Sequence, residues 1–127
     1  MRRLLAGLVL GVAMLALAGV SGPAQAQVQD GAGGFVAGIE DLPLMAGLVE
    51  DAAAALVFDK PEGRIVEALA RGPLERAAVK AFYAATLAEL GWRPSGDGGY
   101  TREGEALRIT ISGEDGAVTV HFSLTPD

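Results

Sequence analysis

His121 is the only histidine of the chain, and it lies in the stretch AVTVHFSL between Thr119 and Ser123. An imidazole so placed has the chemistry of a general base or a metal ligand. The chain has no cysteine to supply a thiolate beside it, and zinc-type sites draw three or four ligands from such groups. His121 is therefore expected to be a solvated residue on the polar face of a strand. Carboxylates occur as adjacent pairs at Glu40-Asp41, Glu50-Asp51 and Glu114-Asp115, with Glu103 and Glu105 close in sequence. Paired carboxylates can divide acid and base roles in glycoside cleavage or hold a hard cation. The loops SGDGG (95–99) and SGEDG (112–116) are too short and too poor in ligands for a calcium loop. Ser95, Ser112 and Ser123 follow the N-terminal apolar stretch, and none lies in a G-x-S-x-G elbow. The glycine clusters match neither a phosphate loop nor a dinucleotide fingerprint. This inventory assigns no catalytic residue, no cofactor and no metal.

The charge balance narrows the partners. Ten basic residues stand against 16 acidic ones, a formal charge of -6, which disfavours a phosphate-backbone ligand and hence nucleic acid. The N-terminus directs the chain to the envelope. Arg2 and Arg3 precede an apolar stretch from Leu4 to Val20, then the helix-breaking Gly22-Pro23 and the A-x-A triplet Ala24-Gln25-Ala26. This is the order of a secretory signal peptide over residues 1–26. An uncleaved anchor is the alternative, but Gly7, Gly11 and Gly19 dilute a run already short for a bilayer. Removing 26 of 127 residues leaves 101, and losing Arg2 and Arg3 shifts the formal charge from -6 to -8. The product is expected in the periplasm or outside the cell, with no membrane attachment after cleavage.

The elements that must position any site follow from patterning. Residues 27–34 are polar and glycine-rich, a flexible leader. Residues 35–51 hold Phe35, Val36, Ile39, Leu42, Leu44, Met45 and Leu48 without a clean period, and Pro43 interrupts any helix. They are expected to form an irregular arm packed on the domain, since a free apolar arm would expose a large patch. Ala54–Asp59 and Arg64–Arg71 flank the turn residues Lys60-Pro61-Glu62-Gly63 and predict a hairpin, although EALAR also suits a helix. Gly72-Pro73 can open a helix, and Val79, Phe82, Tyr83, Thr86 and Leu90 line one stripe of it to about residue 90. Gly91 suits the C′ position, with Trp92 folding back on the last turn. A loop over 93–99 precedes a strand at Tyr100, a turn at Glu103-Gly104, and two strict alternations around 113–116. Leu107, Ile109 and Ile111, with Val118, Val120, Phe122 and Leu124, form the apolar face, to be covered by the helix. The fold class is α+β: one main helix on one face of an antiparallel sheet of about four to five strands, in the order β-β-α-β-β-β. Residues 35–127 form the single domain.

The stretch VKAFYAATLAELGW (79–92), followed by a glycine-containing loop and two alternating strands, resembles small uncharacterised exported bacterial domains. In these a helix ending in Leu-Gly-Trp packs on an antiparallel sheet. DLPLMAGL (41–48) and VFDKPEGRIVEA (57–68) are similar to a narrower set of such proteins. The resemblance spans most of residues 41–125 and implies the fold and the compartment. It supplies no catalytic residue.

Three functions follow as expectations. The first is a non-catalytic binding or accessory module contacting an envelope protein. Its surface is the polar face bearing Arg108, Thr110, Thr119, His121 and Ser123, or a free sheet edge, at the strand carrying Tyr100 or at the first strand, able to accept an extended peptide. The second is a small-ligand carrier with a cleft between helix, arm and sheet, of about 300 Å3 or more. The third is a hydrolase working through the carboxylate pairs.

Overall fold

A computed structural model describes residues 34–127. The expected signal peptide and all but the last residue of the expected leader lie outside them. Strands β1 (Val49–Glu50), β2 (Leu56–Lys60) and β3 (Gly63–Gly72) precede helix α1 (Arg76–Glu89), and β4 (Arg93–Gly96), β5 (Gly99–Arg102), β6 (Glu105–Glu114) and β7 (Ala117–Pro126) follow it. A short 3-10 turn over Ala52–Ala54 separates β1 from β2. The sheet is antiparallel and seven-stranded, in the order β1-β3-β7-β6-β5-β4, with β2 beside β1 on the same edge of β3.

The sheet thus exceeds the expected four to five strands by β1 and β4. β1 escapes a sequence reading because two residues carry no period. β4 contains Pro94 in loop-like composition, and proline is tolerated on a strand that lies at the sheet edge, where β4 is found, so the strand carrying Tyr100, expected at an edge, is internal as β5. Alternating antiparallel directions make β3 and β4 run the same way at separate places in the sheet. The segment 73–92 with α1 is therefore a crossover spanning β7, β6 and β5, and β7 returns to sit between β3 and β6. The hairpin of β2 and β3 holds, with Lys60 opposite Gly63.

The core lies between one sheet face and α1. Val66, Ala68 and Ala70 of β3, Val118, Val120, Phe122 and Leu124 of β7, and Leu107 and Ile109 of β6 are buried there. The helical stripe is rotated from the expected one. Val79, Tyr83 and Leu87, spaced by four, are buried, while Phe82, Thr86 and Leu90 are half-buried. The Tyr83 ring, not Phe82, meets Phe122 edge-to-face with centroids 5.4 Å apart. Phe82 meets Tyr83 edge-to-face from the margin, with centroids 4.8 Å apart.

The helix starts later than Gly72-Pro73 implies, with Glu75 as an N-cap that makes no side-chain bond. The β6–β7 turn caps it instead. The Arg76 N–H donates to Asp115 Oδ1 at 2.9 Å, the Arg76 guanidinium to Gly113 O at 2.7 Å, and the Gly116 N–H to Leu74 O at 2.8 Å. At the other end Gly91 takes φ +91, with its N–H on Ala88 O at 3.2 Å and the Trp92 N–H on Leu87 O at 2.9 Å. That pair of bonds is a Schellman motif. It buries Trp92 under the Arg102 guanidinium, 4.4 Å from the ring centroid.

The 35–51 arm packs as expected. Val36, Ile39, Leu42 and Leu48 are fully buried, while Phe35 stays exposed. Tyr83 pins the arm: its hydroxyl accepts from the Met45 N–H at 3.0 Å and donates to Pro43 O at 2.9 Å. The backbone passes so close that a Cβ on Gly72 would stand 2.2 Å from Gly47 O.

Candidate functional site

Because α1 and the arm occupy one face, the other face of the sheet carries no covering element among the described residues. Strand alternation sends Arg108, Thr110 and Ser112 of β6 and Thr119, His121 and Ser123 of β7 to that open face. The register joins them in rows, with Arg108 opposite Ser123, Thr110 opposite His121 and Ser112 opposite Thr119. All five expected surface residues are thereby brought onto one face. The Arg108 guanidinium also donates to Asp97 O at 2.8 Å, which ties it to the β4–β5 turn.

The next row adds a residue that sequence reasoning passed over. Glu67 of β3 lies opposite Ser123, and its carboxylate gathers two neighbours. Ser123 Oγ donates to Glu67 Oε2 at 2.8 Å, and His121 Nε2 lies 2.6 Å from Glu67 Oε1. A neutral imidazole protonated at Nε2 donates that bond, and a protonated ring makes it an ion pair. The available signal was Glu67 interrupting an apolar row between Ile65 and Leu69. The geometry is not that of a serine nucleophile. Such a site needs the hydroxyl on one imidazole nitrogen and the carboxylate on the other, whereas here serine and histidine both bind the carboxylate.

In each acidic pair at least one member has a structural partner. Asp41 pairs with Arg102 at 2.8 Å. Glu50 accepts from the Ala37 N–H at 3.2 and 3.1 Å. Asp51 caps the 3-10 turn through the Ala53 N–H at 3.1 Å, and Asp115 caps α1. Glu105 receives Arg64 Nε at 2.9 Å, and this hydrogen bond, outweighing partial desolvation, raises the Arg64 pKa from its ordinary value. Among the described residues no three His, Cys, Asp or Glu side chains converge as a metal site would need.

At the β2 margin the open face turns apolar. Leu56 and Phe58 lie opposite Glu67 and Ile65 and share their face, while Val57 lies opposite Val66 on the core side. The three are 48, 44 and 52 % exposed respectively, which is unusual for consecutive large apolar residues.

A cleft of about 490 Å3 opens on the core side between α1 and strands β5 and β6. Tyr100, Ile109 and Ile111 line the sheet side, with Tyr83 and the small Ala77 and Ala84 on the helix and Arg76 and Lys80 nearby. The expected cleft bordered the arm, but no residue of 35–51 lines this one.

Compared with protein-family models, curated proteins and solved structures, the chain matches none. No helix among the described residues is long and apolar enough to cross a membrane.

Proposed function

We propose that the protein is an exported, non-catalytic binding or accessory module of the cell envelope, which engages a protein partner through the open face of its sheet. The observation that carries this reading is the segregation of all covering elements to one face. The opposite face is left with ordered rows of Arg108, Thr110, Thr119, His121 and Ser123, pre-organised by Glu67 and bordered by Leu56 and Phe58. A polar centre beside exposed apolar side chains has the composition of a protein contact surface. The serine and histidine bound to one carboxylate support a recognition role over a nucleophilic one.

Photo-crosslinkers placed at Thr110 and Thr119 test the reading in native envelope, with one at Ala85 on the solvent side of α1 as control. The expected result is one species captured from both sheet positions and not from Ala85, competed by unlabelled protein and reduced at least tenfold by Arg108→Glu. Capture that is equal from all three positions removes the proposal.

The cleft favours a second reading, a carrier for a small amphipathic anion, because an aromatic and aliphatic lining lies near two cationic side chains. Medium-chain carboxylates at millimolar concentration should then raise the thermal midpoint, and Ala84→Trp should abolish the rise. A midpoint unmoved by every chain length removes it.

A further inference from the structure

We infer that the β2 edge is a pairing site for a second copy of this chain, joined antiparallel about a two-fold axis through Val57. This goes beyond the binding reading and does not depend on it, because it rests on the backbone edge of β2, although it would also pack Leu56 and Phe58, the apolar border of the open face, against their copies. The two edges of the sheet are built differently. β4 is short and polar, contains Pro94, and shifts register between Pro94 and Gly96, all devices that blunt an edge. β2 is regular from Leu56 to Lys60 and presents three apolar side chains in succession, with no strand beside it on its free side among the described residues.

The hydrogen-bonding parity selects the geometry. Lys60 and Gly63 close a two-residue turn, so they form a hydrogen-bonded pair. Alternation along the ladder then turns the N–H and C=O groups of Phe58 and Leu56 toward β3, and those of Val57 and Asp59 outward. A two-fold axis at Val57 makes Val57 bond its own copy through both its N–H and its C=O, and it leaves the Asp59 N–H to reach the Ala55 carbonyl of the second copy, since the Ala55 N–H already closes the 3-10 turn on Ala52 O.

Side-chain chemistry picks this register over its neighbours. With the axis at Val57, Leu56 meets Phe58 on the open face and Val57 meets Val57 on the core side, so each exposed apolar group finds another. Asp59 falls opposite Ala55 and Lys60 beside the 3-10 turn at Ala54, and no like charges oppose. An axis at Phe58 would set Leu56 against Lys60 and Val57 against Asp59, and an axis at Asp59 would oppose two carboxylates. Self-complementarity of one patch is the requirement of a two-fold interface. A five-residue strand contact is small, so the dimer should be weak and concentration-dependent.

The absence of native cysteine permits a direct test on residues 27–127, which carry the whole described core. The paired Cα atoms at such an axis stand about 5.5 Å apart, within disulfide reach. Val57→Cys should form a disulfide-linked dimer under mild oxidation at least tenfold faster than Leu56→Cys, Phe58→Cys or the far-edge control Ser95→Cys. A mixture of Leu56→Cys and Phe58→Cys should link to each other in preference to themselves. The unmodified protein should approach twice its monomer mass in light scattering as its concentration rises to the millimolar range. Val57→Pro, which removes an outward N–H without breaking the β3 ladder, should hold it at monomer mass. A monomer at every concentration, or crosslinking at Val57 no faster than at Ser95, overturns the pairing. A monomer whose face still captures an envelope protein overturns the pairing and leaves the binding reading standing. A Val57-linked dimer that captures nothing supports the pairing and removes that reading.

Discussion

Tyr83 joins three parts of the molecule, and its ionisation makes that joint measurable. Burial is the main cause that pushes the phenol up to about 12 from an ordinary 10, partly offset by the Met45 N–H. A group whose folded pKa is raised contributes its full stability below the unfolded value and loses it as pH rises through the folded one. Stability should therefore hold to about pH 10 and fall by about 2–3 kcal/mol toward pH 12, followed by denaturant titration. Tyr83→Phe should abolish that Tyr83 step while costing about 1–2 kcal/mol at neutral pH, since the Met45 N–H loses its acceptor. Glu103 offers the opposite opportunity. It takes φ +52 and Gly104 takes φ +81 in the β5–β6 turn, the conformation of a type I′ hairpin, which asparagine accepts better. Glu103→Asn should raise stability by about 0.5–1 kcal/mol in thermal unfolding.

Helix α1 shows what periodicity reveals and what it misses. The stripe from Val79 to Leu90 correctly announced a helix, its Gly91 terminus and the inward fold of Trp92. Its azimuth was set by a contact invisible locally, the Tyr83 hydroxyl reaching the arm. The inward row became Val79, Tyr83 and Leu87, and Phe82 moved to the margin. Leu87→Ala should accordingly cost about 2–5 kcal/mol, and Phe82→Ala less, a ranking opposite to side-chain size. The N-terminal cap was equally hidden, because Asp115 lies 39 residues from the Arg76 N–H that it accepts. Asp115→Ala should cost about 1 kcal/mol, measured by urea unfolding and accompanied by faster amide exchange at Arg76. The alternations of β6 and β7 were legible because each strand has one wet face. β4 was not legible, since Pro94 and Gly96 carry loop composition into an edge strand.

For the molecule as a whole, the helix-on-sheet arrangement and the face bearing Arg108 through Ser123 could be read from alternation alone. The neighbours across the sheet could not, because pairing β3 with β7 joins residues more than 40 positions apart and leaves no local trace. That is also why Glu67 was passed over: its partners His121 and Ser123 reach it only through this long-range pairing. The same separation decides the sign of substitutions on the open face. Exchanging Thr110 or Thr119 should leave folding stability within about 0.5 kcal/mol, so effects on capture there report recognition and not misfolding.

The seat of β7 at the centre of the sheet has a temporal consequence. Until its ten residues arrive, β3 on one flank and β6 on the other have no common neighbour, and the two blocks of strands remain separate. Closure waits for contacts distant along the chain, which slows assembly. Lacking 117–127, the polypeptide should give no cooperative melt in calorimetry. The final stretch to be synthesised is thus the clasp that commits two separate strand blocks to one body.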